Sequence, residues 1–214
     1  MMRQDRIIRY LSSLGVGDCE RKSGLLERYI SEIMLFNPSL KLVGAKDGED
    51  ILVRHIFDCA SAYPVFESET AEGSTIADLG SGAGLPGIVL AVLFPSRRLF
   101  LVERMQRRVG FLRYVTAVLK LDNVTVVDSD MKDAGTGFDT LTCRAFHPLA
   151  DIAGDAVKLS HRAILYKGTA AATISEMGEL EKAGYGFSGR IVPVTVEGLN
   201  EERNILILDN WEKK

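Results

Sequence analysis

The stretch Thr75-Ile76-Ala77-Asp78-Leu79-Gly80-Ser81-Gly82-Ala83-Gly84-Leu85-Pro86-Gly87 decides the fold. Residues 75–79 read as a short apolar strand carrying one acid, and a glycine-rich turn follows at once. Pro86 then opens a helix predicted to run through Phe94, a proline in the first turn being well tolerated. Strand, glycine turn and helix in that order begin a βαβ unit. In such open sheets ligands sit beyond the C-terminal strand ends, which is where residues 80–87 fall. Their glycines let the backbone turn tightly and approach a ligand closely.

Working outward, the same alternation continues. Strands are predicted at 98–103, 124–127, 138–143 and 163–166, with helices at 107–121, 149–159 and 173–183 between or after them. Two further strands, near 187–196 and 203–209, have no helix between them and are expected as an antiparallel hairpin at one edge. Upstream, residues 3–14 and 20–36 carry helical periodicity, with Leu25, Leu26, Tyr29, Ile30, Ile33 and Met34 in one apolar stripe. Asn37-Pro38 is expected to end that helix, and a third runs near 48–62. The expected fold is α/β and Rossmann-like: a seven-stranded, mostly parallel sheet with helices on both faces. An N-terminal helical extension (1–65) packs with the main domain (66–214) as one globular unit.

The chain has 214 residues, of which 46% are hydrophobic and 26% charged, the balance of a globular protein. No apolar run reaches the ~20 residues of a membrane span, and no signal-peptide pattern opens the chain. Three scattered cysteines fit neither a metal site nor a disulfide framework, so a cytoplasmic setting is expected. Nothing demands a dimer, and a monomer is expected. The net charge of −3 speaks against a general nucleic-acid binder. Yet Arg97, Arg98, Arg104, Arg107, Arg108 and Arg113 crowd one short stretch, and a local patch can grip phosphate.

Gly82-Ala83-Gly84-Leu85-Pro86-Gly87 matches the dinucleotide fingerprint, so the glycines alone do not choose a cofactor. Asp78 does. A dinucleotide loop aims a helix N-terminus at pyrophosphate, and a carboxylate there would oppose it. S-adenosyl-L-methionine carries a sulfonium and an ammonium and no phosphate, so an acid beside the loop is favourable. Glu103, ending the next strand, is placed to accept both ribose hydroxyls. The plainer alternatives are a solvated strand end for Glu103 and a cap on the loop's own amides for Asp78. The cofactor set expected is Asp78, Gly80, Ser81, Gly82, Gly84, Leu85, Glu103, Asp130, Met131, Lys132 and Arg144.

Several segments resemble the bacterial 16S ribosomal RNA guanine-N7 methyltransferases, the glucose-inhibited division protein B family. They are Arg54-His55-Ile56-Phe57-Asp58 (R-H-x-x-D), the loop with its Leu85-Pro86-Gly87 ending, and Arg107-Arg108-Val109-Gly110-Phe111-Leu112. Arg144-Ala145-Phe146 and Tyr166-Lys167-Gly168 complete the set. Two elements depart from the family pattern. Phe36–Val43 lacks an asparagine and a threonine, and Ser129-Asp130-Met131-Lys132 stands where an arginine and a glutamate are usual, against the adenine. The resemblance implies a class I S-adenosylmethionine-dependent fold and methylation of N7 of guanine 527 in 16S ribosomal RNA. The substrate it implies is the naked RNA or an assembling small subunit.

Guanine N7 bears a lone pair and no proton at neutral pH, so no general base is needed; positioning remains. The sequence offers no nucleophile elbow or catalytic dyad. Arg144 is expected to orient the guanine or a phosphate, or to touch the cofactor; the alternative is an ion pair to Asp139 or Asp151. Arg107, Arg108 and Lys167 are expected to face RNA, the alternative being solvated surface. His55 and Asp58 are expected as a packed or hydrogen-bonded pair rather than metal ligands. Phe146 stacks on a base or fills core. Two other readings stay open: a small-molecule methyltransferase, and a ribosome-assembly factor that binds the cofactor without turnover.

Overall fold

The computed structural model describes residues 2–145 and 147–214; the expectation for Phe146 therefore lies outside the described residues. Five helical segments precede the sheet: α1 (Arg3–Ser13), α2 (Cys19–Leu40), α3 (Gly48–Ile51), α4 (Asp58–Ala60) and α5 (Tyr63–Glu69), with a π-helical turn at Leu52–Phe57 between α3 and α4. Then come β1 (Thr75–Leu79), α6 (Gly87–Leu93), β2 (Arg98–Glu103), α7 (Gln106–Leu119) and β3 (Val124–Asp128). The chain continues through β4 (Thr140–Thr142), α8 (Leu149–Leu159), β5 (Ala163–Lys167), α9 (Ala170–Lys182), β6 (Tyr185–Val194) and β7 (Arg203–Lys213).

The seven strands lie in the order β3-β2-β1-β4-β5-β7-β6. The first five are parallel and β7 runs antiparallel to both β5 and β6. The expected edge hairpin is present, with β7 as its inner strand. Alternation along each strand splits the core in two. Ile76, Leu99, Leu101, Ile205 and Ile207 join the helices α1 to α7 on one face. Ala77, Leu79, Leu206 and Leu208 pack with α8 and α9 on the other. Successive side chains on a strand point to opposite faces, and both faces are covered.

Two expectations about the N-terminal region change. Pro38 does not end α2, which continues to Leu40 and stops at Lys41 in a left-handed conformation (φ 51°). The Asn37 side chain explains how: its amide donates to the Val43 carbonyl and its carbonyl accepts from Val43 N–H, both at 3.0 Å. That pair fixes the exit from the helix one turn later than the proline alone implies. The expected single helix over 48–62 is broken by the π-helical turn, which inserts one extra residue per turn and leaves Arg54 exposed, His55 half-buried and Asp58 buried.

The N-terminal helices reach the glycine loop itself. Fully buried Tyr29 donates from its hydroxyl to the Ala83 carbonyl at 2.7 Å. The expected basic cluster is divided by the fold. Arg97 is buried, bonded to Glu67 and the Thr70 carbonyl and stacked on Phe94. Arg98 starts β2 at the opposite end from the loop. Arg104, Arg107 and Arg108 follow the C-terminal end of β2 and Arg113 reaches that of β3 through Asp128, because β2 spans the distance between the two groups.

Candidate functional site

The sheet order reverses direction between β1 and β4, the position where open α/β sheets bind ligands. Two cavities open there. One, of about 360 Å³, is lined by Gly80, Glu103, Arg108, Ser129, Asp130, Met131 and Ile152 among others. The second, of about 470 Å³, is lined by Asp58, Arg144, Lys167, Glu176, Arg203 and Asn204 among others. Ala145 and His147 belong to both walls, so the two cavities meet at the turn after β4.

Glu103 is the acid of the first cavity. Its carboxylate accepts from the backbone N–H groups of Arg104 and Met105 at 2.9 and 2.8 Å through one oxygen, and of Gly82 at 2.9 Å through the other. It is therefore fixed in place and retains one lone-pair site, on Oε2, for a further donor. It is buried, not a solvated strand end. Arg108 stands 3.9 Å from it, on the cavity wall rather than on an outward face, whereas Arg107 is exposed.

Asp78 is fully buried behind the loop. One carboxyl oxygen accepts from Gly87 N–H at 2.9 Å, so it does cap the loop as the plainer reading held. Its other oxygen, Oδ1, has no partner among the described residues, and neither has Thr142 Oγ1 at the paired position of β4. Burial pushes the Asp78 carboxyl up to about 7. Two orphaned buried oxygens at the switch point are acceptors awaiting a donor, which fits a group carrying an ammonium. Gly82 is open on its outer side: a Cβ there would meet nothing closer than the Gly80 carbonyl at 3.8 Å. Acid, acceptors and open glycine together fit an aminoacyl nucleoside such as S-adenosylmethionine.

The other expected cofactor residues separate into three groups. Gly80, Asp130 and Met131 line the cavity with Glu103. Ser81, Gly84 and Leu85 are buried under the loop, Ser81 donating to the Asp78 carbonyl at 2.9 Å. Lys132 is exposed and lines neither cavity. The altered segment closes on itself by charge: Asp130 accepts from Arg104 at 3.1 Å and from Lys132 N–H, while Asp128 accepts from Gln106 and Arg113.

Arg144 belongs to the second cavity. It pairs with neither Asp139 nor Asp151. It donates to Asp58 Oδ2 at 3.0 Å, to the Arg54 carbonyl at 3.3 Å and to His55 Nδ1 at 3.0 Å. Asp139 instead accepts from the Thr75 backbone and hydroxyl. Asp58 is buried and also accepts from Arg203 at 3.0 Å, so two guanidinium groups share one carboxylate. Burial and the Arg144 charge hold the His55 imidazole down at about 4; it is neutral and its Nδ1 is the acceptor. The expected His55–Asp58 pair is thus joined through Arg144, which the π-helical turn brings within reach. Lys167 lines the same cavity, bonded to Glu176 at 2.6 Å, and is not a solvated surface lysine.

Glu176, Arg203 and Asn204 line the second cavity and were not singled out from the sequence; Asp58 was, as the partner of His55, but without its two guanidinium partners, which a buried carboxylate requires. Among the described residues no cluster of metal-ligating side chains exists, and no helix is long and apolar enough to cross a membrane.

Comparison with known proteins agrees with this geometry. Residues 22–206 match the family model described as rRNA small subunit methyltransferase G (GidB). The chain is 34% identical to ribosomal RNA small subunit methyltransferase G of Treponema denticola, over 95% of this chain and 93% of that one. It is 31% identical to the Klebsiella pneumoniae protein of the same name, over 95% and 97%. Among solved structures, a SAM-dependent methyltransferase from Aquifex aeolicus superposes with a TM-score of 0.52 at 20% identity, over 69% of this chain and 88% of that one. Aeropyrum pernix fibrillarin, solved with S-adenosyl-L-methionine, gives 0.51 at 15%, over 72% and 76%. These two likenesses establish the fold, and the match over residues 22–206 assigns the chain to the rRNA small subunit methyltransferase G family.

Proposed function

We propose that this protein transfers a methyl group from S-adenosylmethionine to N7 of a guanine in 16S ribosomal RNA. The observation that carries the reading is the junction of the two cavities at Ala145 and His147. A donor held over Glu103 and a base held beside Arg144 would meet there and nowhere else along the strand ends.

When bound, S-adenosylmethionine supplies a methyl already activated by its sulfonium. Glu103 would accept from a ribose hydroxyl through its remaining site, and Met131 and Ile152 would flank the adenine. The unpartnered oxygens of Asp78 and Thr142, buried and outside the lining of both cavities, would serve the ammonium end. Arg144 is pinned by Asp58, His55 and the Arg54 carbonyl, so its guanidinium cannot swing. That rigidity suits a positioning role, in which the base is oriented with N7 toward the junction. N7 needs no deprotonation, and neutral His55 is not required as a base. Arg107, exposed beside the first cavity, is assigned to RNA phosphate. The acting unit is taken to be one chain in the cytoplasm.

Labelled cofactor incubated with undermethylated small subunits, with naked RNA and without RNA tests the reading. Label is expected at a guanine N7 in one of the RNA arms; binding of cofactor with no transfer in any arm overturns it. Arg144→Ala is expected to lower transfer by ~10²-fold or more while cofactor affinity, measured by calorimetry, stays near wild type. Arg144→Lys should not rescue, because an ammonium cannot span three acceptors as a planar fork does.

A further inference from the structure

Lys167 and Glu176 form an ion pair with no part in the methyl-donor site. Their side chains are mostly buried, with 13% and 19% of their surface exposed, yet both line the second cavity. Glu176 is doubly engaged: Oε2 accepts from Lys167 Nζ at 2.6 Å, and Oε1 accepts from Leu149 N–H at the start of α8 at 2.9 Å. A pair that served stability alone is often no better than apolar residues of the same volume. This one faces open cavity instead of packed core.

We propose that Lys167 and Glu176 read the Watson–Crick edge of the target guanine. That edge presents O6, an acceptor, beside N1–H and the 2-amino group, both donors. The pair presents an ammonium beside a carboxylate, the complementary order. Neither partner has to leave the other. The ammonium has three donors and spends one on Glu176, and each carboxylate oxygen has a second lone pair. Adenine would turn its 6-amino donor toward the ammonium and its N1 acceptor toward the carboxylate, setting donor against donor and acceptor against acceptor. Such a mismatch at a buried polar group is the strong form of base discrimination. The arrangement requires an extruded base, as enzymes acting on bases commonly use. It also leaves N7 clear, because that atom lies on the other edge of the ring.

The proposal rests on the RNA methyltransferase reading, and one substrate set separates the two. Small subunits are reconstituted with guanine, inosine or 2-aminopurine at the target position; inosine lacks the 2-amino group, and 2-aminopurine lacks O6 and with it the N1–H. The wild-type protein is expected to methylate inosine about tenfold more slowly than guanine, the loss of one charge-assisted hydrogen bond. In Glu176→Gln the guanine rate falls toward the inosine rate, and their ratio drops to within about threefold. A ratio unchanged from wild type overturns the proposal. If that variant loses the α8 contact and unfolds, Lys167→Gln keeps Glu176 bonded to Leu149. There the guanine to 2-aminopurine ratio must fall, and an unchanged ratio again overturns it. Transfer by the wild type with both ratios unmoved in the variants defeats base reading only. No transfer by the wild type to any substrate defeats both readings.

Discussion

At Gly87 a Cβ would stand 2.2 Å from Leu101 Cδ2 and 2.7 Å from Asp78 Oδ2. The glycine is there because the acid occupies the space a side chain would need. Asp78 and Gly87 thus form one unit, nine residues apart, that holds the loop closed from behind. The acid has a consequence for pH. Its carboxyl rises from 3.8 to about 7 through burial, so the native state keeps a proton that the unfolded chain releases. Below about pH 4 the group has no effect on stability. From there to pH 7 it costs roughly 1 kcal/mol more per pH unit, and above pH 7 the cost is constant. Asp78→Asn keeps an oxygen for Gly87 and has no proton to lose. Urea midpoints at pH 5 and pH 8 should lie closer together in this variant than in the wild type; an equal separation in both would mean Asp78 is ionised throughout. The charge argument that selected the cofactor from Asp78 is refined by this: the residue acts through one unpartnered oxygen, not as an exposed carboxylate.

The elements were legible where sequence period and fold agree. The loop, β2, α8 and the closing hairpin follow directly from alternation and from the positions of glycine and proline. Two elements were not. Pro38 marks a helix stop only if nothing downstream secures the next turn, and Asn37 does so through a residue six positions away. The π-helical turn leaves no trace in hydrophobic spacing, because Leu52, Ile56 and Phe57 are buried in either helical form. Its effect is on the polar residues, and those make the site. The same turn hid the Arg144 partner, since Asp58 is 86 residues away in sequence, while Asp139 and Asp151 are nearby and were the natural candidates. Deleting Val53 should restore an ordinary helix and rotate one side of the turn against the other by about 100°. The expected result is a folded protein with Arg144 unpinned and transfer lost. Wild-type transfer by the deletion variant would show that the extra residue is dispensable.

At the scale of the whole molecule, one of the two cores crosses the sequence boundary between helical extension and sheet. Ile7, Ile30 and Phe57 cluster with Ile88, Leu90 and Phe111, and Tyr29 braces the glycine loop at Ala83. A chain beginning at residue 66 is therefore expected to expose that face and to lack a cooperative thermal transition. A sharp transition in the truncated chain would make the sheet an independent unit. With a net charge of −3, the RNA contact proposed above would rest on local groups and not on a broad field. The strand order carries a further implication for how this chain is made. β6 leaves the ribosome before β7, yet only β7 joins it to the sheet. Until residues 203–213 emerge, β6 has no hydrogen-bonding neighbour and β5 has an open edge, a state prone to faulty pairing. Arg203, the second cation on Asp58, arrives with that strand. Completion of the sheet and completion of the second cavity are thus one late event in biosynthesis, so a stalled nascent chain carries neither.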